Sequence, residues 1–353
     1  MRLLIAIDKS RFSYLKPFAQ ELSKLGIDCK ITDDLGIYDN SILDKKYFRW
    51  LKTPDQFKRT ITEYKPDLVF TERTSHFSLL TIKSKIPLCI FLRGDPWGES
   101  ELARETMYTS KTDRLELWTK GRLSEKCFKD STLILPICKY LENIVRQHHP
   151  EKNISTFYQG IDLSEWHPVN EMELKHPCVG LLQGAWIWGK TKEMLTLVKV
   201  MEAMPNVTFY WAGDGPYRDR ILPILSKYKN FKWLGSLSYP DKVQEYLAAI
   251  DVYALMSGMD MSPHTILEAS AMKKPIVATN VGGIPELVND NAAYLIQVGD
   301  HQEWINKLSM LIKENEKQEQ MGLAAHDFVK NKFSWEIIAK KFIEILDSVG
   351  INH

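Results

Sequence analysis

The chain has 353 residues, of which 44% are hydrophobic and 26% charged, proportions of a folded globular protein and far from the disordered or fibrous extremes. That length exceeds what single cores usually reach and so implies two domains of ordinary size. A net charge of only +1 excludes a nucleic-acid binder that works through a strongly basic surface, and five scattered cysteines without a C-x-x-C pair suggest neither a disulfide framework nor a zinc cluster.

Short apolar, β-branched runs alternate with helical patterns along the whole chain, the signature of parallel sheets covered by helices. In the first half, strands are expected at Arg2–Ile7, Ile27–Thr32, Asp67–Phe70, Pro87–Leu92, Thr132–Pro136 and Ile154–Phe157. The first of these is too short for a signal peptide or a membrane span, so a cytoplasmic protein is expected. After it comes Ile7-Asp-Lys-Ser-Arg-Phe-Ser-Tyr14, with no G-x-G-x-x-G, which argues against a nicotinamide or flavin enzyme. Lys9 and Arg11 stand on that loop, where open α/β sheets bind ligands; they are either solvated cations or groups for a phosphate or an acceptor. The stretch from Asp44 to Lys52 is basic and aromatic, suited either to peripheral contact with anionic lipid or to a solvated helix packing Phe48 and Leu51 inward. Following the fourth strand, Arg93-Gly-Asp-Pro-Trp97 crowds charged and aromatic groups onto a tight loop, which marks Arg93 and Asp95 as candidates.

A break is expected near Trp166–Pro177, polar and non-periodic between two prolines, dividing domains at 1–168 and 178–333 with a linker over 169–177. In the second half, strands are expected at Cys178–Leu182, Val207–Ala212, Phe231–Leu234, Val252–Met256, Ile276–Thr279 and Ala293–Ile296. The second of these runs into Gly213-Asp-Gly215, a turn whose glycines let backbone approach a ligand closely. The fourth leads into Asp260-Met-Ser-Pro-His-Thr-Ile-Leu-Glu268. Here Ser262 is suited to an N-cap and Pro263 to the first turn of a helix running to about Lys273, whose free amides make a seat for phosphate. Glu268 then lies roughly 8–9 Å along the axis from the helix start at ~1.5 Å per residue, so Asp260 and Glu268 are too far apart to share a proton. They are either two handles for hydroxyls of one extended ligand or a capping acid and a surface glutamate. The closing helices are expected at Gln302–Lys313, Glu316–Asn331 and Trp335–Val349, with Ser334 capping the last.

Taken together, "WAGDGP", "FKWLG", "AAIDVYALMSGMD" and "ILEASAMKKPIVATNVGGIPELV" resemble glycosyltransferase family 4, the retaining GT-B enzymes, and the likeness runs from about Asp130 to Trp335. The resemblance implies an α/β fold of two facing Rossmann-like domains with parallel sheets and a cleft between them, a C-terminal helix, residues 334–353, returning to the N-terminal domain, and a nucleotide-diphosphate sugar as co-substrate, UDP- or GDP-linked, with no metal. The family's E-x7-E motif stands here as Asp260 to Glu268. By that carry-over Asp260 orients the transferred sugar, Glu268 anchors the nucleoside ribose, and Lys190 neutralises the diphosphate. Lys192, Gly213, Asp214, Gly215, Leu234, Ser262 and His264 complete the donor side, and Lys9, Arg11, Arg93 and Asp95 are candidates for the acceptor or donor-sugar side. The family arginine five positions before Lys190 is replaced by Ala185, and Arg93-Gly-Asp95 stands where many members carry a histidine. The reaction implied is a front-face displacement in which the departing phosphate helps deprotonate a carbohydrate, lipid-linked or small-molecule acceptor. The alternatives are another GT-B sugar-nucleotide enzyme, epimerase-like, or a catalytically weak donor-binding scaffold.

Overall fold

A computed structural model describes residues 1–7, 12–33, 55–106, 110–167 and 169–351. The chain divides into two compact units, Met1–Gly160 with Trp335–His353, and Ile161–Ser334. The segment 169–177, expected as a linker, therefore lies inside the second unit, where the Met172 amide donates to the Glu245 carbonyl (3.1 Å) and the Lys175 amide to the Tyr210 hydroxyl (2.9 Å).

The first unit alternates β1 (Arg2–Ala6), α1 (Phe12–Lys24), β2 (Asp28–Thr32), α2 (Asp55–Tyr64), β3 (Leu68–Glu72), α3 (His76–Lys83) and β4 (Leu88–Leu92), then α4 (Pro96–Thr106), α5 (Lys111–Asp130), β5 (Leu133–Pro136) and α6 (Lys139–His148). Its strands form one parallel sheet in the order β2-β1-β3-β4-β5. Parallel strands are covered on both faces, which is why β4 is an unbroken apolar run with every residue buried. The expected strand Ile154–Phe157 is instead an extended segment making one isolated bridge to Ile134. It follows β5 through the amides of Ser155 (3.1 Å) and Phe157 (2.8 Å), and among the described residues no further strand continues the ladder. The last helix of the chain, Trp335–Ser348, belongs to this unit: Trp335 and Phe342 lie 5.5 and 5.4 Å from Phe18, within a cluster that includes Phe70, Phe91 and Phe157.

The second unit runs β6 (Cys178–Leu182), α7 (Trp188–Thr191), α8 (Leu197–Ala203), β7 (Thr208–Ala212), α9 (Arg218–Leu225), β8 (Phe231–Gly235), α10 (Asp241–Ala249) and β9 (Val252–Leu255). It continues with α11 (His264–Ala271), β10 (Ile276–Thr279), β11 (Ala293–Ile296), α12 (His301–Lys313) and α13 (Asn315–Phe333), and the chain ends with α14 (Trp335–Ser348) back in the first unit. The parallel sheet is ordered β11-β10-β9-β6-β7-β8. Renumbered from β6, this is the Rossmann order, and it reverses between β6 and β9. Its core packs Trp211, Phe209, Leu197 and Ile221 with Trp304 and Leu308 of α12.

Candidate functional site

Open parallel sheets bind ligands outside the carboxyl ends of their strands, at the point where strand order reverses. In the second unit that point is marked by Gln183, just past β6, whose amide nitrogen donates to the Met256 carbonyl (2.9 Å) while its amide oxygen accepts from the Met256 N–H (3.2 Å). Sequence reasoning passed over Gln183, because only the sheet order brings it to Met256.

The loops beyond these strand ends carry the candidate residues. Lys190, on the short α7 turn, places its Nζ 2.9 Å from Oδ1 of Asp260, and the Lys190 carbonyl accepts from the Gly258 N–H at 3.3 Å. Asp260 is half-buried and held locally: its Oδ1 also accepts the Met261 N–H (2.9 Å) and its carbonyl the Gly283 N–H (3.0 Å). At Gly282, with φ +55°, a Cβ would come within 1.9 Å of that carbonyl, so this close approach of loop to Asp260 requires glycine. Lys192 is exposed, with its side chain running past Gly258.

The expectation that Ser262 caps a helix with Pro263 in its first turn is corrected. Pro263 itself is the N-cap, with extended backbone, α11 begins at His264, and no side chain caps it. Proline offers no side-chain acceptor; its carbonyl takes the Ile266 N–H at 3.2 Å, and partly buried Ser262 lies in the turn before it. Glu268 sits on the second turn of α11 and is only 3% exposed. Burial pushes its carboxyl up to about 8, against a hydrogen bond from Tyr239 that lowers it. His264 Nε2 lies 3.7 Å from Glu268 Oε1, and the Tyr253 hydroxyl beside them bonds Thr265 Oγ1 at 2.6 Å, its own ionisation suppressed chiefly by burial.

After β7, Gly213 and Gly215 adopt φ +153° and +151°. A Cβ at Gly213 would lie 2.0 Å from the Gln183 carbonyl oxygen, which lets the β7 turn pack directly on the loop after β6. Asp214 joins this turn: its carbonyl accepts the Ala185 N–H (2.9 Å), and its carboxylate oxygens lie 3.0 and 3.2 Å from Nη1 of Arg218. Arg218, which sequence reasoning also missed, lies over the Trp233 ring at 5.3 Å. The visible signal was an acid and a base four residues apart across a turn. Ala185, at the family's arginine position, is completely buried, so a side chain there points inward. Leu234 is partly buried near the end of β8.

In the first unit, Arg93 turns away from solvent to pair with Glu72 (3.0 Å). Asp95 serves the start of α4, its Oδ1 accepting the Trp97 N–H (3.0 Å) and its carbonyl the Glu99 N–H (2.9 Å). Asp95 also lines a pocket of about 920 Å³ with Trp97, Arg104, Trp118, Arg122 and His148; Trp97 stacks on His148 at 3.9 Å. Lys9, Arg11 and the stretch Asp44–Lys52 lie outside the described residues. His176, Cys178 and Asp251 bring potential metal ligands within 4.8 Å of one another. Asp251 there accepts the Cys178 N–H (2.7 Å) and faces His176 Nδ1 (3.0 Å), while burial pushes the Cys178 thiol up to about 12, which disfavours a thiolate ligand.

Residues 179–314 match the family model described as glycosyl transferases group 1. One curated relative is the GDP-mannose-dependent monoacylated alpha-(1-6)-phosphatidylinositol monomannoside mannosyltransferase of Corynebacterium glutamicum, 28% identical over 168 residues, covering 45% of this chain and 44% of that protein. The chain spans 30% to 53% of the length of the first curated relatives it matches. Among solved structures, sucrose-phosphate synthase from Thermosynechococcus elongatus superposes with a TM-score of 0.78 at 15% identity, covering 99% of each chain. Anabaena HepE in complex with UDP-glucose gives 0.70 at 17% identity, covering 99% of this chain and 100% of that one. Two Rossmann-like parallel sheets and these neighbours are the GT-B fold that the sequence resemblance implied.

Proposed function

We propose that this chain, whose residues 179–314 match the glycosyl transferases group 1 model, moves a sugar from a nucleotide-diphosphate sugar to an acceptor hydroxyl, with retention of anomeric configuration. The observation that carries this reading is the Lys190–Asp260 pair at the switch point of the second sheet, with Glu268 buried one turn into the adjoining helix. A cation and uncapped helix amides suit a diphosphate; two separated carboxyls suit hydroxyls on either side of it. The donor class is supported by two of the similar proteins, one GDP-mannose-dependent and one bound to UDP-glucose.

In this reading the diphosphate sits between Lys190 and the start of α11, Asp260 accepts from a hydroxyl of the sugar, and Glu268 bonds the ribose. The bond from the anomeric carbon to the diphosphate oxygen breaks while the acceptor oxygen bonds the same face, and the hydroxyl proton passes to the departing phosphate. Lys190 offsets the charge that develops there, the contribution usually largest in such transfers, so no metal ion is required of the protein. The acceptor is a carbohydrate, a lipid-linked sugar or a small molecule, not a nucleic acid, and meets the first unit.

Melting the protein against UDP-, GDP- and ADP-sugars tests the reading, because a ligand at 100 times its Kd adds about 2.7 kcal/mol to native stability. One base should raise the melting temperature by several degrees, and slow hydrolysis of that donor should release the retained anomer. Stabilisation by no nucleotide sugar overturns the reading. Tight nucleotide binding with no hydrolysis instead favours a donor-binding scaffold, the reading that buried Ala185 in the arginine position supports.

A further inference from the structure

Helix α5 has two unlike faces. Inward it buries Glu116, Leu117, Cys127 and Phe128. Outward it exposes two large apolar side chains, Leu115 (62%) and Trp118 (57%), among the exposed cations Lys111, Arg114, Arg122, Lys126 and Lys129. At about 100° per residue, all seven fall in a stripe roughly 120° wide, centred opposite the buried face. Single exposed apolar residues need no explanation, but an aromatic and an aliphatic residue one turn apart inside a cationic stripe form a patterned surface.

The charge on that stripe is net positive. One carboxylate, Glu125, falls within it and Asp130 stands beyond its edge, against five cations, and both are engaged: Asp130 with Lys126 (2.9 Å), Glu125 with Trp97 Nε1 (3.0 Å) and His149 Nε2 (3.3 Å). The Arg122 guanidinium lies over the Trp118 ring at 5.4 Å, an amphipathic pair of the kind that sits at the headgroup level of a bilayer. The helix has 20 residues, about 30 Å, enough to lie along a membrane surface. No helix among the described residues is long and apolar enough to cross a membrane.

We propose that the outer face of α5 docks this protein on an anionic bilayer, with Trp118 and Leu115 entering the headgroup boundary and the flanking cations meeting lipid phosphates. Trp118 and Arg122 also line the pocket at the carboxyl end of β4. On the transferase reading, the same contact brings a lipid-carried acceptor to that pocket, but docking itself does not depend on that reading.

Vesicle sedimentation of the whole chain tests the proposal, comparing phosphatidylcholine alone with phosphatidylcholine carrying about one third phosphatidylglycerol. Binding is expected on the anionic vesicles only, weakening as salt rises from about 0.05 to 0.5 M. Each cation near an anionic surface is worth about fivefold in partitioning, so Arg114→Ser with Arg122→Ser should weaken binding on the order of 25-fold. Leu115→Ser with Trp118→Ser should weaken it on anionic vesicles while melting behaviour stays that of the parent, since both side chains are exposed. Lys340→Ser with Lys341→Ser, an equal charge change on α14, should leave binding unchanged. Equal binding to neutral vesicles, no binding at all, or an equal loss from the α14 control overturns the proposal. A dimer in vesicle-free ultracentrifugation that Trp118→Ser abolishes also overturns it, because the face would then belong to a second copy of the chain.

Discussion

Lys190 and Asp260, separated by 70 positions in the sequence, meet at 2.9 Å where the loops after β6 and β9 converge. Their side chains are 31% and 13% exposed. A partly solvated pair of this kind adds little to stability, on the order of 1 kcal/mol or less, so its position past the strand ends is better explained by a charged ligand than by folding.

Lys190→Ala should therefore separate the two roles. Losing one preorganised donor to a developing charge costs ~10²–10³-fold in turnover, whereas the melting temperature should move by no more than a few degrees. Steady-state kinetics with the donor found by melting, alongside a thermal melt, gives both numbers. Turnover within about tenfold of the parent would remove Lys190 as the group that stabilises the leaving diphosphate.

Asp260→Asn should behave differently, because it keeps the shape and the Met261 amide contact while losing the charge that faces Lys190. Affinity for the nucleoside diphosphate alone should hold within about twofold, and kcat should fall by about tenfold or more, as expected for a contact made chiefly to the transferred sugar. Calorimetry with the nucleoside diphosphate and turnover with the full donor decide it. Loss of nucleotide affinity equal to the loss in kcat assigns Asp260 to the diphosphate instead.

How much of this was legible in the sequence follows from the reach of each signal. Strands buried on both faces read as continuous apolar runs, so β4 and β7 stand out from residue type alone. Ile154–Phe157 mixes Ile and Phe with Ser and Thr, and among the described residues it bridges β5 alone, which composition does not reveal. The start of α11 was misjudged by one residue because serine before proline suits two different cap registers, and only the backbone at Pro263 distinguishes them. The joining of Lys190 to Asp260, and of Gln183 to Met256, depends on β6 lying beside β9, which no local pattern encodes. The engagement of Arg93 by Glu72 is a contact of the same kind, set by β3 lying beside β4.

Gly213→Ala tests the packing that joins the β7 turn to the loop after β6. A methyl group there would meet the Gln183 carbonyl oxygen at 2.0 Å, and φ of +153° is itself unfavourable for alanine. Backbone has no flexible end to give way, so a loss on the order of 3 kcal/mol or more is expected in urea unfolding. A loss below about 1 kcal/mol would mean the two loops separate freely.

Glu268 gives the sharpest pH test. Its folded-state carboxyl titrates near 8, raised from 4.5 chiefly by burial, so between those values the folded chain holds a proton that the unfolded chain has lost. Stability then falls as pH rises through that window, by at most ~1.4 kcal/mol per unit for this one group, or a few kcal/mol in all. Glu268→Gln cannot ionise and should lose this dependence. Urea unfolding at pH 5 and pH 8 should show the parent falling by on the order of 3 kcal/mol more than the glutamine variant. If the two fall in parallel, the carboxyl is not held protonated in the native state. The same residue separates packing from binding: Glu268→Ala should weaken the nucleoside diphosphate by roughly 1–3 kcal/mol in calorimetry, and Glu268→Gln, which keeps a carbonyl for the ribose, by less. Equal affinity in the parent and the alanine variant would take the ribose away from Glu268.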